Sequence, residues 1–340
     1  MHAPHAAPTA ETLRAALAGL LDGLPPRQAA QAVDRLIANY RGRTPTDAPV
    51  LRDRSDVAAY AAYRMPATFE AVRAALDALR ERAPDWAPAT HLDIGGGTGA
   101  ASWAVAAAWP DGGHTTTVLD WAEPALALGR ELTRESPAAP LRDASWQRRA
   151  LTADLALPGA TDLVTVSYVL GELTAADRRA VVGEAARTAQ AVVLVEPGTP
   201  EGYLRIREAR DQLVSAGLTV LAPCPHSAAC PIEPGADWCH FAARVSRSSL
   251  HRQVKGGSLG HEDEKYAYVA ATRFPASLTA PSRVTRHPQT RKGQVLLDLC
   301  TPDEGLTRRT VTKRHGPLYR AARDTTWGDA WPPPEQSPEQ

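Results

Sequence analysis

The sequence predicts an α/β protein: a doubly wound sheet with a helical N-terminal layer, a cysteine-containing insertion and a small β-rich C-terminal module. Three observations favour this fold class. Apolar residues recur at three- and four-residue spacing through residues 1–85, which indicates amphipathic helices. From Pro88 onward, short apolar runs alternate with helical segments, as in sheets built from right-handed crossovers. A glycine-rich loop follows the first of these runs and precedes a helix.

We predict four regions from these patterns. Residues 1–85 form the helical N-terminal region, and residues 86–275 form the sheet domain, with the insertion at about 222–241. Residues 276–330 form a basic, β-rich module, and residues 331–340 form a disordered, Pro-rich tail.

The N-terminal region contains three helical patterns. TLRAALAGLLDGL and RQAAQAVDRLIANYRG are separated by the breaker Pro25-Pro26. Ser55 is placed to cap the third pattern, DVAAYAAYRM, which ATFEAVRAALDALRERA continues beyond Pro66. Because proline removes a helix hydrogen bond and clashes with the preceding turn, we expect a break or kink at Pro66.

The sheet domain alternates strands with helices. The predicted strands are THLDI, TTTVLD, WQRRALTAD, DLVTVSYVL, AVVLVEP and KYAYVAATR, and the predicted helices between them are ASWAVAAAW, PALALGRELTRE and AADRRAVVGEAARTA. Beyond Pro275, VTRHPQTRKGQVLLDLC and TRRTVTKRHGPLYRAARDTTWGD predict short, arginine-rich strands.

The glycine loop HLDIGGGTGAASWAV predicts a cofactor site. Gly95, Gly97 and Gly99 permit a tight turn and close approach of a ligand, and the following helix offers free N–H groups. The loop also fits the nicotinamide or flavin dinucleotide pattern if Ala100 is its last small residue, and it can serve as a purely structural turn. Asp93 favours S-adenosylmethionine, because a carboxylate there accepts from an ammonium group and repels a pyrophosphate. A Rossmann-like, S-adenosylmethionine-dependent methyltransferase sheet is the resulting prediction.

Three further residues complete the predicted cofactor site. Asp120 ends the second strand, where a carboxylate accepts from ribose hydroxyls. Asp154 ends the predicted third strand and is assigned to the adenine amino group. Arg64, in a segment that can fold over the pocket, is a candidate partner of the ligand carboxylate.

The four cysteines form an unusual set. Cys224, Cys230 and Cys239 lie within sixteen residues of one another, and Cys300 is far along the chain. Zinc and iron–sulfur clusters both accept thiolate ligands, and zinc ribbons pair their cysteines at two- to four-residue spacing, which this chain lacks. The spacing leaves a cluster, a zinc site and unligated thiols as alternatives.

Several motifs together resemble one family. AYAAYRMPATFEAV, LDIGGGTGAASWA, SYVLGEL, VEPGTPEGY, CPH…CP…DWCHF, HEDEKYAYVA and the final YRAAR…WGD are similar to the methyltransferase-like assembly factors of the mitochondrial ribosomal small subunit and their bacterial relatives. The resemblance covers roughly residues 55–330. It implies a Rossmann-type methyltransferase domain that acts on the small ribosomal subunit.

The resemblance also assigns the cysteines. Mitochondrial members carry a four-iron four-sulfur (4Fe-4S) cluster on four cysteines, which map onto Cys224, Cys230, Cys239 and Cys300, with zinc as the alternative metal. Such a group joins the C-terminal module to the sheet domain through Cys300. His226 and His240 lie beside these thiols and are expected to hydrogen-bond or pack.

Whether the protein is an enzyme stays open at this point. One interpretation is an S-adenosylmethionine-dependent ribosomal RNA methyltransferase. The alternative is a non-catalytic assembly factor that binds ribosomal RNA with its cofactor and cluster as structural or sensing ligands, and a third is a redox or iron sensor. SYVLGEL replaces the N/D-P-P-Y/F motif of base-nitrogen methyltransferases, and Tyr168 and Glu172 are the catalytic candidates there.

The charge distribution and the N-terminal sequence limit the possible partners and the cellular location of the protein. Residues 241–330 contain 16 basic and 8 acidic side chains, so this end favours small-subunit ribosomal RNA or a pre-ribosomal particle as partner. The predicted basic surface consists of Arg244, Arg247, Arg252, Lys255, Arg283, Arg286, Arg291, Lys292, Arg308, Arg309, Lys313 and Arg314. No basic n-region precedes an apolar stretch, and no window of about twenty apolar residues occurs. We therefore expect a monomeric, cytoplasmic protein without membrane contact.

Overall fold

The computed structural model of the protein describes residues 9–21, 54–157, 159–246, 260–278 and 280–333. Within these residues, eight strands form the larger sheet: β1 (Thr90–Ile94), β2 (Thr115–Asp120), β3 (Ser145–Arg148), β4 (Thr161–Ser167), β5 (Ala189–Pro197), β6 (Thr219–Ala222), β7 (Phe241–Ser246) and β8 (His261–Thr272). Their spatial order is β3-β2-β1-β4-β5-β8-β6, and β7 also pairs with β8.

The strand directions confirm the predicted fold class. β3, β2, β1, β4 and β5 are parallel to one another, whereas β8 runs antiparallel to β5, β6 and β7. The chain starts at β1 in the middle of the sheet and winds outward in both directions. This reversal of strand order, with an antiparallel strand near one edge, is the Rossmann-like arrangement of S-adenosylmethionine-dependent methyltransferases.

Helices cover both faces of this sheet. They are α1 (Ala10–Leu21), α2 (Arg54–Arg80), α3 (Ala100–Ala108), α4 (Glu123–Thr133), α5 (Ala139–Arg142), α6 (Ala175–Thr188) and α7 (Pro200–Ser215). Phe69 and Trp103 belong to the core on the side of α1 to α5, and Val181 and Leu213 to the core on the side of α6 and α7. The predicted helix over RQAAQAVDRLIANYRG lies outside the described residues.

Helix α2 differs from the prediction at Pro66. The helix runs continuously from Arg54 to Arg80 with Pro66 inside it, so no break occurs. Burial explains the difference, because Met65, Phe69 and the following apolar face are almost fully buried against the sheet domain. Tertiary packing of this face outweighs the local cost of the proline.

The C-terminal module is a second, five-stranded sheet. It contains β9 (Ser282–Val284), β10 (Gln289–Arg291), β11 (Gln294–Thr301), β12 (Gly305–Thr312) and β13 (Ala330–Trp331), and it packs on α8 (Pro317–Asp324). The sequence pattern predicted a strand over α8 and placed Trp331 in the disordered tail. Trp331 instead lies 4% exposed in the core of the module, and residues 334–340 lie outside the described residues.

Candidate cofactor cleft and cysteine cavity

A cleft opens at the carboxyl ends of β1, β2 and β4, where the strand order reverses. It encloses about 830 Å³, its open mouth included. Open α/β sheets bind ligands at this topological position. Its lining includes Arg64, Met65, residues 95–97, Asp120, Trp121, Tyr168 and Glu172.

The loop after β1 brings its backbone to the floor of the cleft. Gly95 has a φ of +67° and Gly97 a φ of +54°, a region that L-residues with a Cβ rarely adopt. A Cβ on Gly95 would also lie 2.7 Å from Val169 Cγ2. Gly99 is the N-cap of α3, whose first N–H groups lie at this end of the helix. All three glycines of the predicted loop are therefore required by its conformation or position.

Asp120 lines the cleft and holds the glycine loop. Its Oδ2 accepts from the Gly97 N–H at 2.9 Å, and its Oδ1 accepts from the Ala122 N–H at 2.8 Å. The side chain is 7% exposed, and this burial raises the pKa of its carboxyl. Each oxygen keeps a second acceptor site, so the carboxylate can still accept from a ribose hydroxyl. Trp121, which follows it, is 40% exposed at the edge of the cleft.

Asp93 lies behind the glycine loop, outside the cleft lining. It is fully buried, and its two oxygens accept from Ser102 Oγ at 3.0 Å and from Thr165 Oγ1 at 2.9 Å. A Cβ on Gly96 would lie 2.7 Å from its carboxyl group, so the loop backbone covers the carboxylate. Burial raises the pKa of Asp93 to about 6. The predicted contact with a ligand ammonium is replaced by support of the loop from beneath.

Asp154 is not brought to the cleft either. The predicted third strand was expected to continue to this residue, but β3 ends at Arg148. Asp154 lies in an exposed turn after that strand. β3 ends where its pairing with β2 ends, at the partner pair Asp120 and Arg148.

Arg64 lines the cleft and contacts both Glu264 and Tyr168. Its Nη2 donates to Glu264 Oε1 at 3.0 Å, and the Tyr168 hydroxyl donates to the same oxygen at 3.0 Å. The Arg64 guanidinium also lies 5.3 Å from the centre of the Tyr168 ring. Burial raises the pKa of Tyr168 well above its usual value, and the neighbouring Glu264 adds to the shift. Arg64 therefore pairs with a protein carboxylate where the sequence suggested a ligand carboxylate.

The segment after β4, which contains Tyr168 and Glu172, is held by other parts of the chain. Tyr168 has a φ of +58°, and its N–H donates to the Val195 carbonyl at 2.8 Å. The Leu170 N–H donates to Glu196 Oε1 at 3.0 Å, and Arg205 Nε donates to the other oxygen of Glu196 at 2.6 Å. Glu196 is fully buried. Tyr168 and Glu172 therefore both line the cleft, and hydrogen bonds to Val195 and Glu196 of β5 hold their segment in place.

The four cysteines meet at a second cavity, which encloses about 580 Å³ with its opening included. Cys224, Cys230 and Cys239 come from the insertion, Cys300 comes from β11, and all four are free and partly buried. Burial raises the pKa of Cys300 to about 12, and the thiols of Cys224 and Cys230 add to this shift. The cysteines that were predicted to belong together are therefore neighbours in the fold.

Helix α7 holds the insertion through one polar stripe. The Tyr203 hydroxyl lies 3.3 Å from Cys230 Sγ. Arg207 Nη1 donates to the Ile232 carbonyl at 2.6 Å, and Arg210 Nη2 donates to the His226 and Ala228 carbonyls at 3.0 and 2.6 Å. Spacings of four and three residues place these side chains on one helix face. Thr199 caps the helix, since its hydroxyl accepts from the Gly202 N–H.

The two histidines beside the cysteines pack or hydrogen-bond. His226 Nε2 lies 3.7 Å from Cys300 Sγ, and His240 stacks on Trp238 with ring centres 5.2 Å apart. Trp238 in turn donates from Nε1 to the Gly198 carbonyl at 2.9 Å. In the part of the chain that the structure describes, no group of three or more His, Cys, Asp or Glu side chains is arranged to hold a single metal ion.

Sequence reasoning missed the residues that surround both sites. Glu264 holds Arg64 and Tyr168, which line the cleft, and Tyr203, Arg210 and Arg283 line the cysteine cavity. The polar stripe on α7 has a signal in the sequence, because its residues recur at helical spacing. Arg283 has none, since only the folded chain brings it beside the cysteines.

Comparisons with known proteins agree with this organisation. A sequence profile described as mitochondrial small ribosomal subunit Rsm22 matches residues 54–332. Human ribosome assembly protein METTL17, a mitochondrial protein, is 31% identical over 290 residues, which is 80% of this chain and 62% of that protein. Rsm22-cox11 tandem protein 2 of Schizosaccharomyces pombe, also mitochondrial, is 31% identical over 42% of this chain and 24% of that protein. The chain thus covers less than two thirds of either relative.

Among solved structures, an O-methyltransferase family protein from Burkholderia thailandensis is similar with a TM-score of 0.44. It is 15% identical over 73% of this chain and 69% of that chain. This similarity concerns the fold alone. The fold assignment rests on the strand order of the larger sheet.

The comparisons correct the predicted location and identify the family. The cytoplasmic assignment is wrong, because the family description and both relatives are mitochondrial. It rested on the lack of a secretory n-region, which does not test for an amphipathic mitochondrial leader. No helix among the described residues has the length and apolar character to cross a membrane. With the profile matching residues 54–332, the chain belongs to the mitochondrial small ribosomal subunit Rsm22 family.

Proposed function

We propose that this protein is an assembly factor of the small ribosomal subunit that binds S-adenosylmethionine in the cleft and a metal group on its four cysteines. The observation that carries the binding role is the fixed segment after β4. Tyr168 and Leu170 in this segment hydrogen-bond to β5, and the Tyr168 hydroxyl donates to Glu264. The Tyr168 hydroxyl is therefore engaged by Glu264, and the backbone of its segment is held by β5, which favours binding over a catalytic role for this residue.

Three features support S-adenosylmethionine as the ligand of the cleft. The glycine loop exposes backbone at the start of α3, Asp120 offers acceptor sites for a ribose, and Trp121 offers a flat apolar surface beside it. Pairing of Arg64 with Glu264 leaves the methionine carboxylate to the backbone N–H groups of the loop.

A ribosomal RNA methyltransferase is the second candidate, and the lining of the cleft favours it. Tyr168 and Glu172 both face the space beside the glycine loop. Methyl transfer depends mainly on in-line positioning, so few catalytic groups are needed. A rearrangement that releases Tyr168 from Glu264 would open the acceptor side.

The cysteine cavity fits a thiolate-bound metal group. Four sulfur ligands suit a 4Fe-4S cluster or a zinc ion. Buried polar atoms without a partner lie around the cavity, namely Arg210 Nε, Arg283 Nη2 and His226 Nδ1. The group would supply four metal–sulfur bonds that join the insertion to β11.

Ribosomal RNA is the proposed partner of the basic module. Arg291, Lys292, Arg309, Lys313 and Arg314 are exposed on it, where they can contact phosphates. Arg283 was predicted to belong to this surface but is 2% exposed and faces the cysteine cavity. Arg247, Arg252 and Lys255 lie outside the described residues.

The test combines metal-loaded protein, labelled S-adenosylmethionine and immature small-subunit particles. We expect the protein to bind both the cofactor and the particle, with no label found in the RNA by mass mapping. Label at one nucleotide, in an amount equal to the particles, would establish the methyltransferase instead. Failure to bind the particle would reject both candidates. The Asp120→Ala protein serves as the control that lacks the proposed cofactor contact.

A further inference from the structure

Two arginines beside the cysteine cavity are almost completely buried. Arg210 on α7 is 4% exposed and Arg283 on β9 is 2% exposed, and both line the cavity together with the four cysteines. Arg283 is paired in register with Cys300 across β9 and β11, which places the two side chains on the same face of the module sheet. Arg210 approaches the same cavity from helix α7 and lies beside Cys224.

The partners of these guanidinium groups are mainly neutral. Arg283 donates from Nε to the Pro223 carbonyl at 2.8 Å and from Nη1 to the Gly328 carbonyl at 2.6 Å. Arg210 donates to two backbone carbonyls and lies beside the Cys224 thiol. Among the described residues, Arg283 Nη2 and Arg210 Nε have no hydrogen-bond partner. Its one carboxylate partner, Asp211, is 57% exposed, so water screens that interaction.

Two buried cations whose partners are mainly neutral are costly. Removing a charge from water is expensive unless an opposite charge or a complete set of hydrogen bonds replaces the lost hydration. Among the described residues, no carboxylate forms an ion pair with Arg283, and the carboxylate paired with Arg210 is the exposed Asp211. The fold therefore places two incompletely compensated positive charges at the wall of the cavity.

A filled site would balance this charge. Four thiolates carry four negative charges, and a zinc ion or an oxidised four-iron core offsets two of them, which leaves a net charge of about −2. Arg210 and Arg283 together supply two positive charges at the wall of the same cavity. The unpartnered Nε and Nη2 atoms are donors of the kind that hydrogen-bond to metal-bound sulfur.

We propose that Arg210 and Arg283 are positioning residues that neutralise the filled cysteine site, so that the cavity is built for a bound group with a net charge of about −2. This inference rests on the proposed metal group and names the residues that select and retain it. It also links loading to docking of the module, because Arg283 and Cys300 both belong to the module sheet. When the group is lost, two like charges remain on opposite sides of the interface.

The test replaces each arginine by Gln and by Lys. Gln keeps a hydrogen-bond donor for the carbonyls and removes the charge, whereas Lys keeps the charge. After anaerobic loading, metal loss to a chelator is followed with time. We expect Arg283→Gln and Arg210→Gln to lose metal more than tenfold faster than the unmodified protein, and both Lys proteins to stay within about threefold. Arg142→Gln, which removes an exposed arginine paired with Asp143, is the matched control.

Two further measurements separate charge from structure. Loading should raise the melting temperature of the Gln proteins by less than that of the unmodified protein, and a loaded cluster should be reduced at a more negative potential in the Gln proteins than in the Lys proteins. Lys proteins that lose metal as fast as the Gln proteins would overturn the proposal in favour of hydrogen bonding alone. If a Gln protein does not fold, fast loss from the Lys protein still overturns it, and retention supports it. Unmodified protein that binds neither iron nor zinc rejects the proposed metal group, and this inference falls with it.

Discussion

Asp93 and Asp120 are both carboxylates at the ends of neighbouring parallel strands, yet the fold uses them differently. Asp120 reaches over the glycine loop into the cleft, and Asp93 is sealed beneath the loop by Ser102 and Thr165. The difference follows from the position of the Gly96 backbone, which covers Asp93. Asp120 therefore lines the cleft, where we propose that it contacts the ligand, whereas Asp93 lies beneath the loop.

Removing the Asp120 carboxylate should weaken cofactor binding. We expect Asp120→Ala to lower S-adenosylmethionine affinity by roughly 1.5–3 kcal/mol, the range for a charge-assisted hydrogen bond, in isothermal titration calorimetry. Asp154→Ala, at an exposed position outside the cleft, should bind as the unmodified protein does. Equal affinity of the Asp120→Ala protein would remove this residue from the site.

His91 on β1 should make the stability of the fold depend on pH. Burial lowers the pKa of His91 from 6.5 to about 3, so below pH 6.5 the unfolded chain binds a proton that the folded chain does not. The folded state therefore loses stability as the pH falls from 6.5 towards 3. Asp93 acts in the opposite sense, because its raised pKa of about 6 gives stability below 3.8 that is lost as the pH rises through 6.

The measurement isolates His91 by comparison with a variant. In urea unfolding of metal-free protein, the unmodified chain should lose about 2 kcal/mol relative to His91→Gln between pH 7 and pH 4.5. His261→Gln, at an exposed position, is the control and should keep the pH profile of the unmodified protein. Parallel profiles for the unmodified protein and His91→Gln would contradict the prediction.

Helix α7 is the element that joins the two sites. One stripe of the helix holds the cysteine insertion through Tyr203, Arg207 and Arg210. Arg205, on another face, holds Glu196 and so the segment after β4 that lines the cofactor cleft. A shift of α7 would therefore affect both sites. The helix begins beside a close backbone contact at Gly202.

Gly202 is the crowded position. A Cβ there would lie 2.0 Å from the Pro197 carbonyl oxygen, so Gly202→Ala must displace the start of α7. We expect a loss of about 1–3 kcal/mol or more in the free energy of unfolding, measured with urea. Gly183→Ala in α6 is the matched control, because its Cβ would meet only the flexible end of Gln212 at 3.1 Å. A Gly202→Ala protein as stable as that control would mean that α7 shifts without cost.

At the scale of the whole molecule, the cysteine cavity lies between the sheet domain and the C-terminal module. Contacts across this boundary include Arg283 with the Pro223 carbonyl, and Arg286 with Asp237 and the Trp238 carbonyl. Cys300 adds the fourth thiol from the module side. A group bound to all four cysteines would thus fix the orientation of the basic module relative to Arg244 on β7, which is also exposed.

Metal removal should therefore weaken RNA binding. We expect metal-free protein to bind a structured small-subunit RNA fragment more than tenfold more weakly than loaded protein, about 1.4 kcal/mol, because the charges remain but their alignment is lost. The comparison requires one fixed salt concentration, for example in fluorescence anisotropy. S-adenosylmethionine binding to the same metal-free sample is the control and should change little, since no cysteine lines the cofactor cleft. Equal RNA affinities would leave the metal group as a local link only.

The fold class, the conformation of the glycine loop, the position of Asp120 at a strand end and the grouping of the four cysteines could be predicted from the sequence. Each of these is written in local spacing or in motifs, because glycine conformation, strand ends and apolar periodicity are properties of neighbouring residues. The tertiary structure alone decided where side chains point and what they meet. It continued α2 through Pro66, ended β3 before Asp154, paired Arg64 with Glu264 and buried Arg283 beside the cysteines. These outcomes depend on contacts between residues far apart in the chain. The energies of such contacts outweigh local secondary-structure preferences, and the local sequence pattern does not reveal them.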